Sequence, residues 1–131
     1  MESRTVTTVL PAPKEQVFRY LADVRNLPRW ATDFARELKV VDGRPKVVNG
    51  LGEFFFEIRA DEETGVIDML AGPELDQLAL FPTRVVSLGP ESSAYTFTMF
   101  RGPGMSEELF ESQHASLLRE FRNIESEFET G

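Results

Sequence analysis

The 131-residue chain has no cysteine, a single histidine, a single tryptophan and no long apolar run. Without cysteine, disulfides, thiolate nucleophiles and Cys-based metal sites are excluded, while the redox compartment is left open. With one histidine, His114, any imidazole chemistry near neutral pH is confined to one position. A metal site is not expected, because no second His or Cys accompanies it. No stretch approaches the roughly 18 apolar residues of a membrane-crossing helix, and residues 1–15 carry no apolar signal-peptide core. A cytoplasmic protein without a membrane span is the expectation. Basic residues are also scarce: 14 Lys and Arg against 22 Asp and Glu give a net charge of −8. A net-acidic chain is repelled by phosphate backbones, so nucleic acid is not an expected partner. There is no Gly-rich phosphate loop, no Ser–His–Asp spacing and no His–carboxylate metal motif, and no cofactor is expected.

What is present is ordinary globular composition with an aromatic bias. Hydrophobic residues make up 41% and charged residues 27%, which argues against wholesale disorder. Eleven Phe dominate the aromatic content, and such side chains fill cores and line ligand cavities equally well. The length suits one domain, 1–131, with a continuous core. Charge is divided unevenly: residues 1–50 hold nine basic and six acidic residues, net +3, leaving net −11 for 51–131. Arg19, Arg25, Arg29 and Arg36 make either a solvated helix surface or a local basic face for an acidic partner.

Residues 4–10, rich in Thr and Val, read as a strand closed by Pro11 and Pro13, with Pro13 suited to a first helical turn. Val17, Phe18, Leu21 and Val24 recur at helical spacing. Asn26 and Pro28 interrupt this pattern, and Trp30 to Phe34 is predicted as a short second helix. Residues 35–41 read as a strand ending in the hairpin dipeptide Asp42-Gly43. Lys46–Val48 begins its partner, broken at Asn49-Gly50 and resumed at Gly52. There Phe54, Phe56 and Ile58 alternate with Phe55, Glu57 and Arg59. Val66–Ala71, the Leu75–Leu88 stretch and Ser92–Phe100 supply further strands, with a bulge or an edge expected at Pro82. Short turns without intervening helices indicate an antiparallel sheet. Ser106 is a suitable N-cap for a helix over 107–128, whose Phe110, His114, Leu117, Phe121, Ile124 and Phe128 form one stripe.

This order of elements, the segment Val-x-x-x-Leu-Pro-Ala-Pro-Lys-Glu-Gln-Val-Phe-x-x-Leu-Ala-Asp-Val at 6–24 and Asn-Leu-Pro-Arg-Trp at 26–30 resemble the START-like (SRPBCC) superfamily. That group includes polyketide cyclase/dehydrase-like proteins and the birch-pollen-allergen fold. Further echoes are Gly65-Val66-Ile67-Asp68, Phe-Pro-Thr-Arg-Val-Val at 81–86, and Phe97 to Phe100 leading to Pro103-Gly104-Met105-Ser106. The resemblance implies an α+β helix-grip fold: a curved antiparallel sheet of about six strands around a long C-terminal helix, with two short helices after strand one. It also implies a cavity between sheet and helix. Members bind lipids, sterols, hormones, polyketides or quinones, and some catalyse cyclisation or hydration; fold alone does not choose among these.

Candidates for ligand contact are Trp30, Phe34, Phe56, Met69, Phe81, Arg84, Tyr95, Phe97, Met99, Phe110, Gln113, His114 and Leu117. For each apolar one, core packing is the competing role. His114 is either a satisfied core histidine, a polar anchor for a ligand, or a general acid/base. Asp68 points into the cavity if Val66 and Leu70 do, and into solvent if Ile67 and Met69 line the inside. Arg84 holds either a ligand oxyanion or an acidic neighbour. The leading expectation is a monomeric or homodimeric binding protein for a small hydrophobic or aromatic molecule, not an enzyme. The alternatives are a cyclase/dehydratase-type enzyme using His114 and Asp68, and an interaction module working through the acidic C-terminal helix, net −5 over 106–131.

Overall fold

The computed structural model describes residues 1–129. Strand β1 (Ser3–Leu10) leads into helix α1 (Lys14–Ala22), a 3₁₀ turn at Val24–Asn26 and the short helix α2 (Leu27–Trp30). Six strands follow: β2 (Glu37–Val41), β3 (Arg44–Asn49), β4 (Gly52–Asp61), β5 (Val66–Gly72), β6 (Ala79–Gly89) and β7 (Ser92–Phe100). Helix α3 (Glu107–Glu127) closes the chain. All strands join one curved antiparallel sheet in the order β1-β7-β6-β5-β4-β3-β2. The helix-grip architecture expected from the sequence is the one observed.

The strand count is seven because Asn49-Gly50 reverses the chain and does not merely interrupt one strand. The Asn49 side-chain oxygen accepts the Leu51 N–H at 2.8 Å, Gly52 adopts φ +129°, and Asn49 stands opposite Gly52 in register. Asx turns of this kind use the side chain in place of a backbone acceptor. At the β2–β3 hairpin both Asp42 (φ 53°) and Gly43 (φ 76°) are left-handed, the pattern that matches the twist of the flanking strands. The second short helix lies three residues earlier than predicted. Pro28 opens it instead of breaking it, since the first helical N–H groups have no partner to lose. Ala31 to Phe34 is left as a connecting turn. Pro13 is likewise the residue before α1, its carbonyl accepting Gln16 and Val17 N–H. Pro82 forms no bulge: it stands in unshifted register opposite Asp68, and pairing with β7 begins one residue later, at Thr83. The proline therefore occupies a stretch paired on one side only, and the register shift falls at Ser87–Gly89.

Alternation decides which face of the sheet is inside. Ile67, Met69 and Ala71 are buried on β5, Val85 on β6, and Tyr95, Phe97 and Met99 on β7. Helix α3 lies against this face through Phe110, Leu117, Phe121 and Ile124, all buried. Tyr95 stacks on Phe121 with centroids 5.4 Å apart, while Phe97 meets Phe121 edge-on at 6.4 Å. Ser106 caps the helix, its hydroxyl accepting the Leu109 N–H at 3.1 Å.

Both flanks of α3 are tied down. On the β1 side Arg4 pairs with Glu111 at 2.7 Å and the Thr8 hydroxyl donates to Glu125 at 2.6 Å. On the other side Arg119 pairs with Asp33 at 2.6 Å and Asn123 donates to the Trp30 carbonyl at 3.0 Å.

Tyr95 carries an instructive cost. Its hydroxyl is buried with no hydrogen-bond partner among the described residues, and burial pushes it above the ordinary phenol range. The nearby Thr83 hydroxyl donates to the Ile67 carbonyl at 2.6 Å and opposes the rise only in part. Removing an unpaired buried hydroxyl relieves a desolvation cost. Tyr95→Phe is therefore expected to raise stability by about 1 kcal/mol in urea unfolding; a loss of that size would show that the hydroxyl is bonded.

Candidate functional site

A cavity of about 550 Å³ lies between the sheet and the first half of α3. The sheet supplies Phe56, Met69, Phe81, Phe97 and Met99; α2 and the turn after it supply Leu27, Trp30, Ala31, Asp33 and Phe34. Helix α3 covers it with Leu109, Ser112, Gln113, Ser116, Leu117, Arg119 and Glu120, and the rim is completed by Arg36 and the β3–β4 turn, Asn49 to Leu51. The second half of α3 leaves no such space. There Phe121 stacks on Tyr95, and Phe128, just past the helix end, meets Tyr20 edge-on at 5.4 Å.

Of the residues singled out in the sequence, Trp30, Phe34, Phe56, Met69, Phe81, Phe97, Met99, Gln113 and Leu117 line this space. Four do not. Tyr95 is wholly buried against Phe121. Phe110 is wholly buried under the Arg4 guanidinium, which sits 5.3 Å from its ring centroid. Arg84 is on the outer face of β6, where its Nε donates to the Thr64 carbonyl at 3.2 Å. His114 is half-buried outside the cavity wall. Its spacing from Glu111 and Glu125 puts it on the flank of α3 that faces β1.

Asp68 is excluded by parity. Ile67, Met69 and Ala71 take the inner face of β5, so Asp68 shares the outer face with Val66 and Leu70, across from Arg59 and Pro82. Asp68 thus projects from the face of the sheet opposite to the one that α3, with His114, covers. The structure does not bring this pair together. Among the described residues no group of three His, Asp or Glu side chains converges to hold a metal ion.

The ionisable group in the cavity wall that sequence reading passed over is Glu120. It is only 5% exposed, and its Oε2 accepts backbone N–H groups from Asp33 at 3.2 Å and Phe34 at 3.0 Å. The neighbouring Arg119 is turned away to Asp33 and to the Ser116 hydroxyl. Burial raises the Glu120 carboxyl to about 7, opposed by the two backbone hydrogen bonds. Asp33, by contrast, is held below the usual carboxylate range, mainly by its hydrogen bond from Arg119. One signal was legible: Glu120 follows Leu117 by three residues and Gln113 by seven, which places a carboxylate on the buried stripe of the helix.

No family model and no curated protein matches the sequence. Solved structures match its fold. XoxI from Bacillus cereus superposes with a TM-score of 0.76 at 15% identity, over 98% of this chain and 96% of that one. The Zhui aromatase/cyclase from Streptomyces sp. R1128 superposes at 0.73 with 17% identity, over 96% and 93%. A START superfamily protein from Mycobacterium smegmatis superposes at 0.62 with 15% identity, over 97% and 99%. The chain therefore has the START-like helix-grip fold. At such identities the likeness is one of fold, and function must be argued from the site.

Proposed function

We propose that the protein binds a small hydrophobic or aromatic molecule in the cavity between its sheet and α3. The carrying observation is an aromatic-lined space of about 550 Å³, within the range of small-molecule sites and far larger than a packing defect. The rings of Trp30, Phe34, Phe56, Phe81 and Phe97 supply flat apolar surface, and Met69 and Met99 supply adaptable surface. The aromatase/cyclase and START superfamily proteins that share the fold are in keeping with this reading. It needs no second domain and is compatible with a monomer or a homodimer.

A cyclase/dehydratase-type reading is second, and in altered form. His114 and Asp68 lie on opposite sides of the sheet, whereas Glu120, raised to about 7 in the cavity wall, is poised to exchange a proton near neutral pH. The acidic-helix interaction reading is weakened by internal engagement: Glu111, Glu120, Glu125 and Glu127 are bonded to Arg4, the Asp33–Phe34 backbone, Thr8 and Arg29.

The test uses N-phenyl-1-naphthylamine, whose fluorescence rises in apolar surroundings. Wild-type protein is expected to give saturable, one-site enhancement with quenching of Trp30, the sole tryptophan. Ser116→Trp puts a large side chain into the cavity from α3 and should weaken binding tenfold or more while leaving the circular dichroism spectrum unchanged. Absence of saturable binding to the wild type would end the proposal.

A further inference from the structure

One polar group in the cavity wall has hydrogen-bonding capacity that the protein leaves unused. The Trp30 indole N–H also lacks a partner among the described residues, but it is sealed off from the cavity as well as from solvent. On Glu120 both backbone amides converge on one oxygen, Oε2, and no bond to Oε1 occurs among the described residues. An oxygen already accepting two N–H groups is the poorer site for a proton, so a protonated Glu120 carries its hydrogen on Oε1. The wall then presents one donor free to meet a ligand, the Oε1 hydroxyl of Glu120, beside the phenylalanine and methionine side chains that line the space. Buried donors without partners are costly, and a ligand that satisfies them recovers that cost.

Resting on the binding reading above, we propose that Glu120, in its protonated form, recognises an acceptor oxygen of an uncharged aromatic carbonyl compound, so that binding is accompanied by proton uptake. Glu120 is then the specificity-determining residue of the cavity. Its carboxyl is raised to about 7 by burial, so near neutral pH a substantial fraction of the protein must gain a proton before the ligand is held. A cationic ligand would show the opposite linkage, because an ammonium group needs the carboxylate. Arg36, Arg119 and Asp33 share the rim; the hydrogen bond from Arg119 holds the Asp33 carboxyl below the usual carboxylate range, whereas burial raises that of Glu120.

Three probes of similar size separate the possibilities: menadione, which is uncharged at every working pH, 2-methylnaphthalene, which lacks acceptors, and 1-naphthylmethylamine. The absence of cysteine removes thiol addition to menadione. Isothermal titration calorimetry between pH 5.5 and 8.5 is expected to show menadione binding that is strongest at low pH. Above the Glu120 pKa it should weaken by about tenfold per pH unit. At pH 7, buffers of different ionisation enthalpy should report uptake of roughly half a proton per ligand, given a pKa of about 7. 2-Methylnaphthalene should bind more weakly with no pH dependence. Glu120→Gln retains a donor that does not titrate, so it should bind menadione at every pH about as the wild type does at pH 5.5. If 2-methylnaphthalene binds while menadione affinity is flat or rises with pH, or if the amine binds best with affinity rising with pH, the recognition proposal is overturned and the container reading stands. If none of the probes binds, both are overturned.

Discussion

Glu120→Gln is expected to stabilise the protein above pH 7 and to leave it nearly unchanged at pH 4. The Glu120 carboxyl shifts from 4.5 to about 7 on folding, chiefly through desolvation. Below pH 4.5 both folded and unfolded chains carry the proton, and the site contributes no difference. Between the two values the unfolded chain has released a proton that the folded chain still holds, so stability falls as pH rises. Above pH 7 the full cost of a buried carboxylate is present. At about 1.4 kcal/mol per pKa unit this cost is on the order of 3 kcal/mol. Glutamine keeps an oxygen for the Asp33 and Phe34 amides and removes the charge, though its amide N–H₂ must be solvated in the cavity. A net gain of about 1–3 kcal/mol, or a rise in Tm of roughly 4–10 °C at pH 8, is the expected outcome. Thermal unfolding of both proteins from pH 4 to 8.5 decides the matter. Equal stability at pH 8, or a gain of the same size at pH 4, would mean that Glu120 is not held in a desolvating wall. A group retained at such cost is more readily understood as part of a site than as part of a core.

Gly65→Ala should be far more damaging than its conservative appearance implies. Gly65 adopts φ +81°, and a Cβ built there would lie 2.0 Å from the Val85 carbonyl oxygen. The neighbour cannot move aside cheaply, because Val85 sits on β6 between β5 and β7, and its N–H donates to the Gly65 carbonyl at 2.8 Å. The contact fixes where β5 starts against β6, and with it the placement of Met69 and Phe81 in the cavity wall. Gly104 provides the control. Its φ is +83°, yet nothing lies within 4 Å of its added Cβ, so alanine there should cost only the left-handed conformation, roughly 1–2 kcal/mol. Gly65→Ala adds the backbone collision and should cost about 3–5 kcal/mol or prevent folding. Urea unfolding of the two variants side by side is the measurement. A Gly65→Ala loss within about 1 kcal/mol of the Gly104→Ala loss would refute the close approach.

Much of the fold was legible because its signals are local. The Ser92–Phe100 strand is where the sequence placed it, with Tyr95, Phe97 and Met99 buried, and the stripe from Phe110 to Phe128 located the long helix within a residue of its observed bounds. The misreadings occurred where one local signal has two meanings. Asn-Gly can interrupt a strand or reverse it, and only pairing of β3 with β4 separates the two. Proline can stop a helix or start one, and Pro28 starts one.

The sequence by itself determined the period of each element, and hence which residues share a face: Phe56 with Phe54, Met69 with Ile67, Leu117 with Phe110. It did not determine which of those faces meets a partner and which is left facing empty space. Phe110, Leu117 and Phe121 belong to one stripe, yet only Leu117 lines the cavity, because α3 lies close to the sheet at Phe121 and Tyr95 and stands off it around Gln113 and Ser116. The roles of His114 and Glu120 were exchanged for the same reason. Their positions differ by six residues on one helix; spacing from Leu117 puts Glu120 on the buried stripe, but the rotation of the helix about its axis is what turns one toward β1 and the other into the cavity. That rotation is set by contacts between residues distant in the chain, Arg4 with Glu111, Thr8 with Glu125 and Asp33 with Arg119, and so it belongs to the tertiary structure alone.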